Sequence, residues 1–417
     1  MKAIKSLATA LVTIIGIVSI DVLAFEVKHQ PEFYSRAGYD DNPQVREIEP
    51  REVFFTINSI GLETVISDPK YKLSFRPRAR VSRYTEETDL NAEDYFFSFR
   101  GDRYFEKNSI RLDFNFERES TITTEFTDSG ILDVNLPRTT FSASLNWTHF
   151  VNEILQISAS AFATDVSFEE DPRSPFIDFN VYGVGTSLAY AVSERTSYLA
   201  GLNITKFKTP RLGSETHSYT FTVGFQHQFH ESTYAVFRIG QNVSSIDFKR
   251  QQFQLVSVRP FVLNTILVPE TENASGEVVE LLVNTRLSRA ELQGEWLRSF
   301  SPSSQGVRQV TQEVRGFARY GINDRTDGIL QISYRQRDQE GDNLDIRLGA
   351  SEFLNLSLRL SRRFAPEWVG EVGFRFREQV GTNFLANAQA DSKRFFISLK
   401  WRPGDARFIC EMNERCF

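Results

Sequence analysis

The chain has 417 residues and a formal net charge of −6, from 48 Lys and Arg against 54 Asp and Glu. That mild acidity gives no footing for nucleic acid, which asks for a basic surface. Beyond the N-terminal segment there is no apolar run of the ~20 residues a membrane-crossing helix needs; mean hydropathy is −0.32, and 37 Phe with 13 Tyr point to strands.

Residues 1–24, MKAIKSLATALVTIIGIVSIDVLA, open on Lys2 and Lys5, run apolar over 7–20 and close on Val22, Leu23 and Ala24. A charged start, a short apolar middle and small residues before the junction predict a signal peptide cut before Phe25, with a membrane anchor as the alternative. No cysteine lies near the junction, which argues against a lipoprotein.

From there the chain alternates apolar and polar residues, the signature of strands with two unlike faces. EFYSRAGYDD, VFFTINSIGLETVI, YKLSFRPRARVSRY and EDYFFSFRGDRYF come first, then SIRLDFNFERES, RTTFSASLNWTHF and ILQISASAFATDVSF. IDFNVYGVGTSLAYAV follows, shifting its apolar phase around Gly183 and Gly185, which predicts a bulge or bend there. The series continues through SYLAGLNITKF, HSYTFTVGFQHQF and TYAVFRIGQNV to FLNLSLRLSRRF, WVGEVGFRFREQ and SKRFFISLKW, eighteen predicted strands in all. Connections alternate between short (SDPK, EKN, HES, NDRT) and long (NPQVREIEP, TDSGILDVNLP, GTNFLANAQAD), the longest over 249–277.

Tight turns at one end, long loops at the other and an even strand number predict an all-β, antiparallel up-and-down barrel over 25–403, in the bacterial outer membrane. In 71–84 the apolar face is Tyr71, Leu73, Phe75, Pro77, Ala79 and Val81; the other face carries Lys72, Ser74, Arg76, Arg78 and Arg80. A soluble sandwich would alternate too, but nothing else in the chain could cover so many apolar faces. Hydrocarbon outside and water inside satisfies both. Phase is ambiguous in 53–66, and Phe396 is an apolar exception on a polar face.

The inward face then carries the function. It gathers a basic stripe of Arg315, Arg319, Arg335, Arg337, Arg359, Arg363, Arg375, Arg377, Arg394 and Lys400, joined by Arg76, Arg78 and Arg80. Glu313 and Glu371 oppose it, and Glu280, Glu291 and Glu295 give a more mixed wall. A basic stripe concentrates anions and predicts passage of an anionic solute or acidic polysaccharide; Arg–Glu ladders that only stiffen the wall are the alternative. An aromatic girdle is expected from Trp147, Phe229, Phe364, Trp368 and Trp401 by the tight turns, and from Tyr95, Phe168, Phe179 and Phe248 by the long loops.

Cys410 and Cys416 lie in a predicted periplasmic tail over 404–417; an even pair so close in an exported chain reads as a small disulfide loop. His149 and His227 fall beside Trp147 and Phe229 as interfacial anchors, and no nucleophile motif, phosphate loop, metal spacing or cofactor signature is present. The acidic segments GYDDNP and EEDPRSP read as solvated outer loops, with a divalent-cation site as the alternative.

FYSRAGYDDNP, opening the first strand after the cleaved leader, resembles the start of the outer-membrane β-barrel porin families associated with bacterial exopolysaccharide loci. The strand number and Arg-lined interior are similar in architecture to alginate-type export barrels. The resemblance implies a pore for secreted polysaccharide or a porin, with outer-membrane lipid, the barrel-assembly machinery and periplasmic export components as partners. Such barrels end on an aromatic residue of the last strand, whereas here a tail follows Trp401 and ends on Phe417, leaving the assembly signal with either. A scaffold plugged by the segment QLVSVRPFVLNTILVPETENASGE and an enzyme with a rim site are the alternative functions.

Overall fold

A computed structural model describes residues 26–403, apart from 48, 129–134, 172, 173, 175, 259–260, 303–307, 340–348 and 384–385; within 125–128, 249–258, 261–267, 301–302, 308, 339, 349–351, 382–383 and 386–388 it describes the backbone alone. The expected leader over 1–24 and the tail with Cys410 and Cys416 lie outside the described residues.

Eighteen strands form one sheet. They are β1 (Glu26–Asp40), β2 (Val53–Asp68), β3 (Tyr71–Tyr84), β4 (Ala92–Tyr104), β5 (Asn108–Ser120) and β6 (Pro137–Phe150). Next come β7 (Leu155–Phe168), β8 (Phe179–Ser193), β9 (Thr196–Thr209), β10 (Ser214–His230), β11 (Thr233–Val258) and β12 (Phe261–Arg286). The last are β13 (Ala290–Pro302), β14 (Arg308–Asn323), β15 (Thr326–Gln339), β16 (Gly349–Ala365), β17 (Trp368–Asn383) and β18 (Ala386–Trp401). Every strand pairs antiparallel with its sequence neighbours, and β1 pairs with both β2 and β18, so the sheet closes with no free edge. A short helix α1 (Thr121–Asp128) continues from β5.

The tight turns sit at one end, for example 69–70, 194–195 and 366–367. At the other end the expectation of long loops holds over 41–52 and 121–136, fails over 381–391, where β17 and β18 stay paired out to Asn383 and Ala386, and fails over 249–277. The stretch 249–277 continues β11 and β12 as a hairpin, paired from Thr233–Thr285 out to Val258–Phe261, and it projects beyond the last β10 partner, Asp247. Its β-branched residues make strand where loop was expected.

The faces follow the period of two. Outward residues stay open to the surroundings: Ile60, Phe54, Ile397 and Val372 are 66%, 64%, 63% and 59% exposed. On β2, whose phase was ambiguous, Phe54, Ile60 and Leu62 point out while Val53 and Phe55 are buried on the inner side. β8 runs in unbroken register with β7, so the expected bulge is absent. Gly183 instead leaves room for the ring of Phe162, where a Cβ would come within 2.3 Å, and Phe179 and Phe207 pack with Val166 in a buried patch. That inward patch, not a bend, breaks the apolar phase.

Candidate functional site: an arginine arc on the inner wall

Cross-strand register builds the inner wall row by row. In one row Asp40, Arg394, Arg375, Ser357 and Gln331 stand side by side across β1, β18, β17, β16 and β15. The row below holds Gly38, Phe396, Gly373 and Arg359; the next holds Arg36, Ser398, Glu371 and Ser361. Arg36, Arg359, Arg375, Arg377 and Arg394 thus meet around two carboxylates, Asp40 and Glu371.

Asp40 is fully buried and takes Arg394 at 2.6 Å and Arg377 at 3.0 Å, with Ser392 donating at 2.8 Å. The acidic GYDDNP segment is therefore no solvated loop at Asp40, and the chain from Asn42 to Val45 is buried over the arc. Arg377 also donates to the carbonyl of Pro43, Asn42 donates to the carbonyl of Asp391, and Gln379 donates to the carbonyl of Val45. Val45 is buried against Phe353 and Ala390 with φ of 51°. Among the described residues no His, Cys, Asp and Glu grouping could hold a metal ion. In the same loop Arg51 donates to Glu87 at 2.5 Å, which pushes its guanidinium further up and ties two outer loops together.

The remaining arginines sort by what they touch. Arg315 and Arg335 share Glu313, Arg319 pairs with Asp327 at 2.8 Å, and Arg80 pairs with Asp94 at 2.8 Å. Arg76 reaches Glu32 at 3.3 Å, Arg359 donates to Gln331, and Arg363 donates to the carbonyl of Asp324 by a tight turn. Lys400 lies within electrostatic reach of Glu32 and Glu371. Ladders of the stiffening kind therefore exist on β3–β5 and β13–β15, whereas the inner faces of β16–β18 and β1 carry more arginine than acid among the described residues.

A second layer escaped sequence reasoning. Several inner-face rings carry arginines: Arg36 lies 4.2 Å over Phe396, Arg78 4.2 Å over Phe96, Arg394 4.6 Å over Phe55 and Arg337 4.7 Å over Phe353. Stacking on an aromatic face attracts a guanidinium and fixes its plane. The signal available was an aromatic residue out of phase on an arginine-bearing strand, which Phe396 displays.

The opposite arc differs. β8 stands nine strands from β17, half-way round the ring. Apart from Arg138 at the outer end of β6, the inner face from β6 to β10 carries no charge and offers Ser142, Ser144, Asn146, Ser158, Ser160 and Thr222. The facing wall is neutral rather than mixed.

On the outer face Trp147, Phe229, Trp368 and Tyr95 are exposed, and Trp401 lies 6.3 Å from Trp368. Trp147 stacks on His149, and Phe229 meets His227 edge-on. Phe168, expected in the girdle, belongs to the inner patch with Phe179, because β7 turns that parity inward. Phe248 sits on the projecting hairpin, on the parity of inward Asn242 and Ser244.

A closed antiparallel sheet whose outward side chains form an apolar belt, with backbone pairing complete around the ring, satisfies the demands of hydrocarbon. It is an outer-membrane β-barrel. No family model matches the chain, and no curated protein matches it in sequence. Among solved structures it is similar to the open form of the ferric-catecholate import receptor Fiu of E. coli K12, at 9% identity over 89% of this chain and 81% of that one, TM-score 0.47. It is similar also to the outer-membrane channel DcaP of Acinetobacter baumannii, at 9% identity over 91% and 97%, TM-score 0.45. The outer membrane protein opdK of Pseudomonas aeruginosa gives 9% identity over 90% and 99%, TM-score 0.41. At these scores the likeness extends to the general build of a barrel; the fold itself rests on the strand pairing above.

Proposed function

We propose that the barrel is a pore for anionic solutes, an acidic saccharide of an export pathway among them, drawn along the arginine arc. The observation that carries this reading is the excess of arginine over carboxylate on the described inner faces of β16–β18 and β1. Among the described residues the buried carboxylates set among Arg36, Arg359, Arg375, Arg377 and Arg394 are Asp40 and Glu371. Barrels of this strand number are wide enough for water, and charge on a low-dielectric wall raises the local concentration of counter-ions. The neutral hydroxyl and amide wall opposite suits the uncharged part of such a solute.

Planar-bilayer recording tests it. The wild type should conduct with a reversal potential favouring anions, and reversing Arg335, Arg359 and Arg375 to Glu should shift that preference toward cations. A barrel without open-channel current, or an unchanged reversal potential in the triple variant, defeats the reading.

A further inference from the structure

Within the arc one arginine stands apart. Arg375 directly faces Arg394 across β17 and β18, and the charges it feels most are Arg36, Arg394, Arg377 and Arg359, all positive. Like charges directly opposite on neighbouring strands are destabilising unless something compensates them. Asp40 compensates Arg394 and Arg377 but does not bond Arg375. Among the described residues Arg375 has no ion pair, and its buried Nε–H has no acceptor.

On its other flank stands Ser357, its cross-strand partner on β16, 2% exposed, with a buried hydroxyl that also lacks a partner among the described residues. Arg36, 3% exposed and stacked on Phe396, brings a further buried Nε–H without an acceptor among the described residues. Buried donors are satisfied almost without exception in folded proteins, by ordered water or an ion where protein groups are lacking. Water would meet the hydrogen-bonding need but leave the charge uncompensated. An oxyanion meets both.

We infer that Arg375, Ser357 and Arg36 form a discrete oxyanion station, taking the carboxylate or phosphate group of a solute in the pore. The inference rests on the pore reading for the source of the anion, but it adds saturable binding to what a diffuse basic wall would give. Guanidinium and hydroxyl donors suit either group, the fork of Arg375 donating to two oxygens and Ser357 to one.

The test uses the full barrel in detergent and in bilayers, with inorganic phosphate and acetate as probes and chloride as the background ion. Phosphate or acetate should reduce chloride current saturably in roughly the millimolar range, and R375Q should raise the half-blocking concentration about tenfold, as loss of a charge-assisted contact does. R286Q, at the tight-turn end beside Glu291, should not. Block by phosphate alone marks a phosphate station, and block by acetate alone a carboxylate station. In melting experiments the probe should stabilise the wild type but not R375Q, and in anion-poor buffer R375Q should melt no lower than the wild type, because it relieves repulsion. The station is overturned if neither probe binds, if R375Q binds like the wild type, or if R375Q melts markedly lower without probe. The melting arm stands even where no current flows, so failure of the pore and failure of the station are read separately.

Discussion

Asp40, at the end of the first strand, accepts a 2.6 Å hydrogen bond from Arg394 of the last, across the seam where the ring closes and 354 residues apart in sequence. The same carboxylate takes Arg377 and Ser392, so three groups of β17 and β18 converge on one residue of β1. Removing one partner from a buried ion pair costs more than the pair is worth, because the remaining charge stays desolvated. D40N should therefore destabilise the barrel by about 3–5 kcal/mol, seen as a lower temperature for loss of the folded, fast-migrating band in detergent gels. A shift of only a degree or two would mean that the backbone pairing of β1 with β18 holds the seam unaided.

Phe396 fills the space above Gly373 and beside Gly38; a Cβ on Gly373 would come within 2.3 Å of its ring, and one on Gly38 within 2.2 Å of the carbonyl oxygen of Phe395. The ring carries Arg36, so packing and charge placement are coupled. F396A should cost roughly 3 kcal/mol or more, as for other buried Phe truncations, and G373V should cost a comparable amount by displacing the ring. If G373V melts like the wild type, the ring is free to move and does not position Arg36.

Val372 faces out, 59% exposed, one residue from inward Glu371 and Gly373. Arginine on the lipid face near mid-depth costs about 2–4 kcal/mol. V372R should fold poorly into lipid vesicles, while S144R, on the neutral inner arc opposite Asp113 of β5, should insert normally. Equal yields for the two would place Val372 outside the hydrocarbon.

The β11–β12 hairpin beyond Asp247 pairs only with itself. Replacing residues 251–267 with a two-residue turn should leave folding and conductance unchanged, since the ring pairs β11 with β10 and β12 with β13 below the cut. A large rise in conductance on deletion would show that the segment obstructs the pore.

Strand number, barrel closure and the parity of most faces were legible in the sequence because alternation is local: each residue's side is set by its neighbours two places away. The basic stripe was legible for the same reason, as Arg335, Arg359, Arg375 and Arg394 share the polar parity of their strands. Where local phase and burial disagree the sequence misled, as at Phe168 and Gly183, since an apolar residue reads alike whether it meets lipid or a buried inner patch. What only the tertiary structure decided is which arginines are compensated. That depends on register across the seam and on a loop folded back over β17, so Asp40 reaches Arg377 and Arg394 but not Arg375, which has no ion pair among the described residues. Side-chain alternation says which way a residue points; charge balance depends on what closure of the ring brings next to it.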